Sequence, residues 1–279
     1  MVSIPRVVIA AANSSAGKTT IATGLMAALR SSGRVVAGFK VGPDFIDPGY
    51  HTLATGRPGR NLDVVLTSEQ LVPRLFLHGV TRPTPADVAI VEGVMGLFDG
   101  QLGRDGHGST AHVARLLDAP VVLVVDAAGS SRTAAAAALG LRHFDPRVRI
   151  AGVVVNRVAS ERHAAELAAV FERAGLPVLG TVPRSAAIAA PSRHLGLVPA
   201  AERAESAATI KALATHIAAH VDLDALLDLA ATAGPLQATA WDPAHVVRPV
   251  ADRPVIGLLA GRAFTFRYPE TAELLAAAG

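Results

Sequence analysis

Short runs of β-branched residues alternate along the chain with longer stretches rich in alanine and leucine. The apolar runs cover residues 6–11, 35–40, 88–92, 121–126, 150–156 and 178–182. Most are continuous rather than alternating, as in strands buried on both faces. The stretches 19–31, 68–78, 110–117, 132–144, 161–174 and 204–229 have the length and composition of helices. Gly33, Gly175 and Pro177 mark helix ends. This alternation predicts an α/β fold, a mostly parallel sheet with helices on both faces.

The rhythm breaks at residues 233–253, where Gly234, Pro235, Pro243 and Pro249 interrupt any helical period. The pattern therefore divides the chain into a first domain, 1–232, a linker, 233–253, and a tail, 254–279. The tail predicts one strand over 255–260 and one helix over 270–278. Such a pair cannot bury a core alone. It must dock on the first domain, pair with another chain, or open a further domain. The alanine run 134–138 is ordinary helix packing.

Composition narrows the classes. Of 279 residues, 51% are hydrophobic and 18% charged, which is a folding composition. The net charge of +3, from 26 Lys+Arg against 23 Asp+Glu, is dispersed and forms no nucleic-acid-binding arm. The chain has no cysteine, so a disulfide scaffold, a Cys-ligated metal and a thiol nucleophile are excluded within it. No apolar run reaches the roughly 18 residues of a membrane span. The first apolar stretch is too short for a secretory segment. A cytoplasmic location is expected, with no nucleic-acid and no membrane partner.

Three motifs carry candidate chemistry. Ala12-Asn13-Ser14-Ser15-Ala16-Gly17-Lys18-Thr19 lies between a strand and a helix and fits a P-loop, with Ala12 where the first glycine usually stands. Loop amides and a helix N-terminus cradle phosphates, Lys18 reaches the β- and γ-phosphates, and the Thr19 hydroxyl ligates Mg²⁺. Asn13 stands where the dimer-bridging partitioning ATPases carry lysine. The second motif, Lys40-Val41-Gly42-Pro43-Asp44-Phe45-Ile46-Asp47-Pro48, starts at a strand end, where α/β ligand sites form. Asp44 and Asp47 there could hold Mg²⁺ or move protons, and Lys40 could neutralise phosphate; the alternative is a turn with local Asp hydrogen bonds. The third, Glu92-Gly93-Val94-Met95-Gly96-Leu97-Phe98-Asp99-Gly100, places Glu92 where P-loop enzymes put a second metal-directed carboxylate. A solvated strand-end glutamate is the alternative.

These strings, followed by Ser192-Arg193-His194-Leu195-Gly196-Leu197, occur in this order in the a,c-diamide synthases of cobalamin biosynthesis, and the chain resembles that family over roughly residues 5–279. The resemblance implies a P-loop domain of the dethiobiotin-synthetase type, followed by a class I glutaminase-like domain. It implies an ATP- and Mg²⁺-dependent ligase. Such an enzyme amidates the a and c carboxylates of cobyrinic or hydrogenobyrinic acid through acyl phosphates, with ammonia from glutamine. Asn13 to Gly17, Lys18, Thr19 and Thr20 would bind the nucleotide, with Lys40 beside them. Thr19, Asp44 and Glu92 would hold the metal. Asp44, Asp47 and Asp99 would serve the substrate carboxylate or its phosphorylated form. Asn156, Pro183 and Arg184 would lie at the adenine, and Ser192, Arg193 and His194 near the macrocycle. Arg57, Arg60 and Arg193 are candidate clamps for a polyanionic substrate.

Two departures stand out. Ser15 replaces a glycine usual in the family's loop, and 254–279 matches only the start of the glutaminase-like domain, without its nucleophilic cysteine and catalytic histidine. A homodimer is compatible with the sequence. The rival readings are a dethiobiotin-synthetase-like ligase acting on another carboxylate, and a non-catalytic P-loop ATPase or partner-binding fragment.

Overall fold

The computed structural model describes residues 3–185 and 206–279, apart from 253, 260, 262, 263 and 265. Among these residues, seven strands form one sheet: β1 (Arg6–Ala11), β2 (Val36–Val41), β3 (Arg60–Leu62), β4 (Val88–Glu92), β5 (Val121–Asp126), β6 (Ile150–Val158) and β7 (Val178–Pro183). Their order is β3-β2-β4-β1-β5-β6-β7 and every pairing is parallel. The helices are α1 (Lys18–Ser31), α2 (Asp47–Thr55), α3 (Leu71–Thr81), α4 (Thr110–Leu116), α5 (Arg132–Phe144), α6 (Glu161–Arg173), α7 (Ser206–His220), α8 (Leu223–Ala231) and α9 (Pro269–Ala278).

The continuous apolar runs are explained by two cores, one on each face of the sheet. In β1, Val8 and Ala10 point into one core, while Val7, Ile9 and Ala11 point into the other. With a side-chain period of two, both phases must then be apolar. The first core is closed by α3, α4, α5 and α6, the second by α1, α2, α7 and α8. The chain leaves β1 through α1 to β2, and leaves β4 through α4 to β5 on the far side of β1. The direction of winding therefore reverses at β1, where a crevice opens at the strand C-termini.

Four features differ from the sequence reading. Helix α2 and the three-residue β3 are additional. The single helix expected over 204–229 is two helices, broken at Val221 and Asp222. There Val221 bridges to Gly180, and the Asp222 side chain caps α8 by accepting from the Ala225 amide at 2.9 Å. The described residues of 255–260 form no strand. Val255 is fully exposed, and among the described residues this stretch pairs with no strand of the sheet. The stretch read as a linker is packed against the first core by Leu236 and Trp241. The Trp241 amide donates to the Arg74 carbonyl at 2.9 Å.

Arg6 shows how the chain behind α8 is tied down. Its guanidinium is fully buried and donates to the carbonyls of Leu117 (2.6 Å), Ile4 (2.9 Å), Asp118 (3.4 Å) and Gly234. Burial pushes its pKa down to about 10, against the pull of Asp118. Arg6→Leu would leave these buried acceptors unpaired. It is expected to lower the unfolding free energy by about 3 kcal/mol or more, read as a fall in the urea midpoint. An unchanged midpoint would show that the carbonyls find other donors.

Candidate active site

The loop between β1 and α1 is built for close backbone approach. Ser15 (φ 67°) and Gly17 (φ 97°) both lie in the left-handed region. A Cβ on Gly17 would also sit 2.3 Å from the Asn156 amide nitrogen, so glycine is required there twice over. Ser15 takes on left-handed strain that a glycine would avoid, which explains the glycine usual at that position. Ala12 has no left-handed φ and needs no glycine. From the end of β6, Asn156 Nδ2 donates to the Ala16 carbonyl at 2.9 Å and braces the loop. Lys18 Nζ donates to the carbonyls of Asn13 (2.8 Å) and Met95 (2.6 Å). Burial, then the neighbouring Lys40 charge, push its pKa down to about 8.

The second cluster converges on Glu92, which is wholly buried at the end of β4. Lys40 of β2 and Glu92 are in register. Glu92 Oε1 accepts from Thr19 Oγ1 at 2.5 Å and from Lys40 Nζ at 2.8 Å. On its other oxygen, Glu92 Oε2 lies 2.7 Å from His51 Nε2. Lys40 also pairs with Asp47 Oδ2 at 2.6 Å, and Thr19 Oγ1 is 3.4 Å from the same oxygen. Burial alone would raise the Glu92 carboxyl, but Lys40 and His51 hold it well below the usual carboxylate range. Burial, with the Glu92 charge, instead pushes Asp47 up to about 8, against the pull of Lys40. Burial would lower Lys40, but Glu92 and Asp47 hold it above its ordinary value.

The surrounding loops fix this arrangement. Asp44 Oδ1 accepts from the amides of Ile46 (2.7 Å) and Asp47 (2.9 Å), so it closes the turn into α2. Asn61 Nδ2 donates to the carbonyls of Gly42 and Asp44, both at 2.7 Å. Asp99 Oδ2 accepts from the Gly96 amide at 3.0 Å. A Cβ on Gly96 would lie 2.6 Å from the Ala12 carbonyl, so the loop after β4 is pressed onto the P-loop. A cavity of 190 Å³ opens beside Asn13, between Asp126, Ser130 and Thr133.

Lys18, Thr19, Lys40, Asp47 and Glu92 thus meet in one crevice. Ser14 lies in the exposed part of the loop, Thr20 in the first turn of α1, and Pro183 at the end of β7. Arg184 follows, its amide 3.4 Å from the Val158 carbonyl. Ser192, Arg193 and His194 lie outside the described residues. Arg57 and Arg60 are not open clamps. Buried Arg57 donates to the carbonyls of Thr84 (2.8 Å), Gly79 (3.1 Å) and Arg82 (2.6 Å), joining α2 to α3. Arg60, also buried, pairs with Glu270 at 2.6 Å and with Glu273, and so anchors α9. The sequence reading passed over His51, Asn61 and the Met95 carbonyl. His51 was findable as the i+4 partner of Asp47, once the segment after Asp44 is recognised as a helix.

A second polar cluster joins Glu69, His107 and His112. The Gly108 amide donates to His112 Nδ1 at 3.1 Å, so the neutral ring carries its proton on Nε2, which faces Glu69 Oε1 at 3.2 Å. That proton leaves no lone pair for a metal, and the cluster ties loop 100–109 to the start of α3.

The loop, its lysine and the strand-end carboxylates define a P-loop nucleotide-binding protein. The family model described as CobQ/CobB/MinD/ParA nucleotide binding domain matches residues 7–198, and the chain belongs to that family. It is 58% identical over 284 residues to a hydrogenobyrinate a,c-diamide synthase of Thermobifida fusca, covering 99% of this chain and 60% of the relative. A protein of the same name from Streptomyces coelicolor is 49% identical, covering 99% and 63%. A cobyrinate a,c-diamide synthase of Gloeobacter violaceus is 46% identical, covering 98% and 59%. The chain thus spans less than two thirds of the length of these relatives. No helix among the described residues is long and apolar enough to cross a membrane.

Asp47 generates a pH prediction. Its pKa in the fold lies above its value of about 3.8 in the unfolded chain. The folded state therefore binds the extra proton, and the stability it confers is full below about pH 4 and lost as pH rises towards about 8. In metal-free buffer, the unfolding temperature of the native chain is expected to fall relative to Asp47→Asn between pH 5.5 and about 8. Parallel curves would contradict the assignment.

Proposed function

We propose that this chain binds ATP with Mg²⁺ and activates the a and c carboxylates of hydrogenobyrinic or cobyrinic acid for amidation. The observation that carries the nucleotide half is the meeting of the Thr19 hydroxyl with Glu92 at 2.5 Å, beside Lys18, Lys40 and Asp47. The names of the relatives support the substrate class.

The donor set fits a hard cation. Thr19, Asp47 and Glu92 offer only oxygens, and Asp47 Oδ1 is buried with no hydrogen-bond partner among the described residues. These three residues would hold Mg²⁺; Asp44, expected as a ligand from the sequence, instead closes the turn that presents Asp47 through the Ile46 and Asp47 amides. The cation would supply neutralisation of charge on the β- and γ-phosphates.

A carboxylate is a poor acyl donor, so phosphorylation must precede attack by ammonia. The carboxylate oxygen attacks the γ-phosphorus and ADP leaves. Ammonia then adds to the acyl carbon and inorganic phosphate departs. The residues position and neutralise charge. Lys18 exchanges the carbonyls of Asn13 and Met95 for phosphate oxygens, and amides of Asn13 to Gly17 cradle the phosphates. Thr20 would add to the phosphate-binding residues at the start of α1, and Asn156, Pro183 and Arg184 would border the adenine. Lys40 keeps Glu92 and Asp47 from repelling the incoming phosphates. Asp47 and Asp99 serve the reacting carboxylate or its phosphorylated form. The cavity of 380 Å³ next to the Asp44 turn, lined by Pro43, Leu66, Leu75 and Leu274 with Asp63 and Glu270 among its polar residues, offers a largely apolar wall to the edge of a macrocycle.

The chain with ATP, Mg²⁺, ammonium and either macrocycle is expected to give two successive acid-to-amide mass changes. Lys18→Ala is expected to lose about 100-fold or more of this turnover. ATP binding with an unchanged macrocycle, or full turnover by Lys18→Ala, would overturn the reading.

A further inference from the structure

His51 is fully buried in α2, and its ring shares Glu92 with the P-loop. It follows Asp47 by four residues, so both side chains leave the same face of the helix, towards the end of β4. Glu92 divides its two oxygens between different partners. Oε1 faces Thr19 at 2.5 Å and Lys40 at 2.8 Å, while among the described residues Oε2 faces only the imidazole, at 2.7 Å.

The seat of the ring is specific. Gly38 of β2 lies behind it, and a Cβ there would come within 3.0 Å of both His51 Cβ and Met26 Sδ. An ionised carboxylate can only accept, so His51 Nε2–H donates to Oε2. The other ring nitrogen, Nδ1, is buried with no hydrogen-bond partner among the described residues. A residue needed only for packing would fill this space without an unpaired polar atom. The polar ring is accounted for by what it does to Glu92.

We propose that His51 is a positioning residue. By holding Oε2 of Glu92 it turns Oε1 towards Thr19, and so sets which oxygen of Glu92 faces the phosphate and cation crevice. This inference rests on the reading that Thr19 and Glu92 hold a divalent cation with the nucleotide. Carboxylate ligands oriented by an outer hydrogen bond lose affinity for metal when that bond is removed.

The test is binding of Mn²⁺ to the whole chain with ADP, read from the electron paramagnetic resonance signal of free Mn²⁺. ADP binding without metal and the unfolding temperature are read in parallel. His51→Leu and the shorter His51→Asn are expected to weaken Mn²⁺ binding about 10- to 100-fold. His51→Gln can still reach Oε2 with an amide N–H, and is expected to stay within about threefold of the native chain. Metal-free ADP binding should be unchanged in all three. Native-like Mn²⁺ binding by both His51→Leu and His51→Asn, alongside loss in Glu92→Gln, would overturn the role of His51 and leave the cation site standing. Native-like binding by Glu92→Gln as well would overturn the cation site and the inference with it. Equal losses in His51→Gln and His51→Asn, in step with unfolding temperature, would reduce His51 to a packing residue.

Discussion

A carboxylate buried without any exposure is the constraint around which this molecule is arranged. Glu92 ends a central strand where no water reaches it, and an isolated charge there would be prohibitively costly. It is tolerated because three elements supply partners at hydrogen-bond distance: Thr19 from α1, Lys40 from β2 and His51 from α2. Each is delivered by a distinct device. The parallel register places Lys40 opposite Glu92, the left-handed Gly17 starts α1 where Thr19 can reach, and the Asp44 turn starts α2 so that Asp47 and His51 face inward.

The same logic explains the loops. Two of them would move independently if they were held only at their ends. Instead, Thr110 clasps Val94, with bonds of 2.9 and 3.0 Å, and Asn61 holds the Gly42 and Asp44 carbonyls. Lys18 bridges the P-loop to the loop after β4 through the Met95 carbonyl. Met95 itself has a φ of 50°, a left-handed conformation unusual outside glycine, and this aims its carbonyl at the lysine. Phosphate arriving at Lys18 would compete directly with that carbonyl. The same ammonium group thus ties the P-loop to the loop bearing Asp99.

Much of this was legible in the sequence, for identifiable reasons. Strands buried on both faces give continuous apolar runs, so six of the seven were found near their true ends. The P-loop, Lys40 and Glu92 announced themselves by residue type at strand termini. What failed was local. Pro48 and Gly49 disguised α2 as a turn, although proline is at home in a first helical turn. Three residues of β3 are too few for any period. The break between α7 and α8 rests on one capping aspartate inside an otherwise helical run. Arg57 and Arg60 looked like substrate clamps because composition cannot tell a cation facing a crevice from one facing carbonyls or an internal carboxylate. The partners of Arg60, Glu270 and Glu273, lie more than 200 residues away.

Phosphates are expected to bind where Lys18, Thr19 and Glu92 meet. A crystal structure of the chain with Mg²⁺ and a non-hydrolysable ATP analogue tests it most directly. Lys18 Nζ is expected on phosphate oxygen and off the Met95 carbonyl, with the cation at the Thr19 hydroxyl beside Glu92 and Asp47. A nucleotide bound elsewhere, with Lys18 still held by Met95 and Asn13, would contradict it.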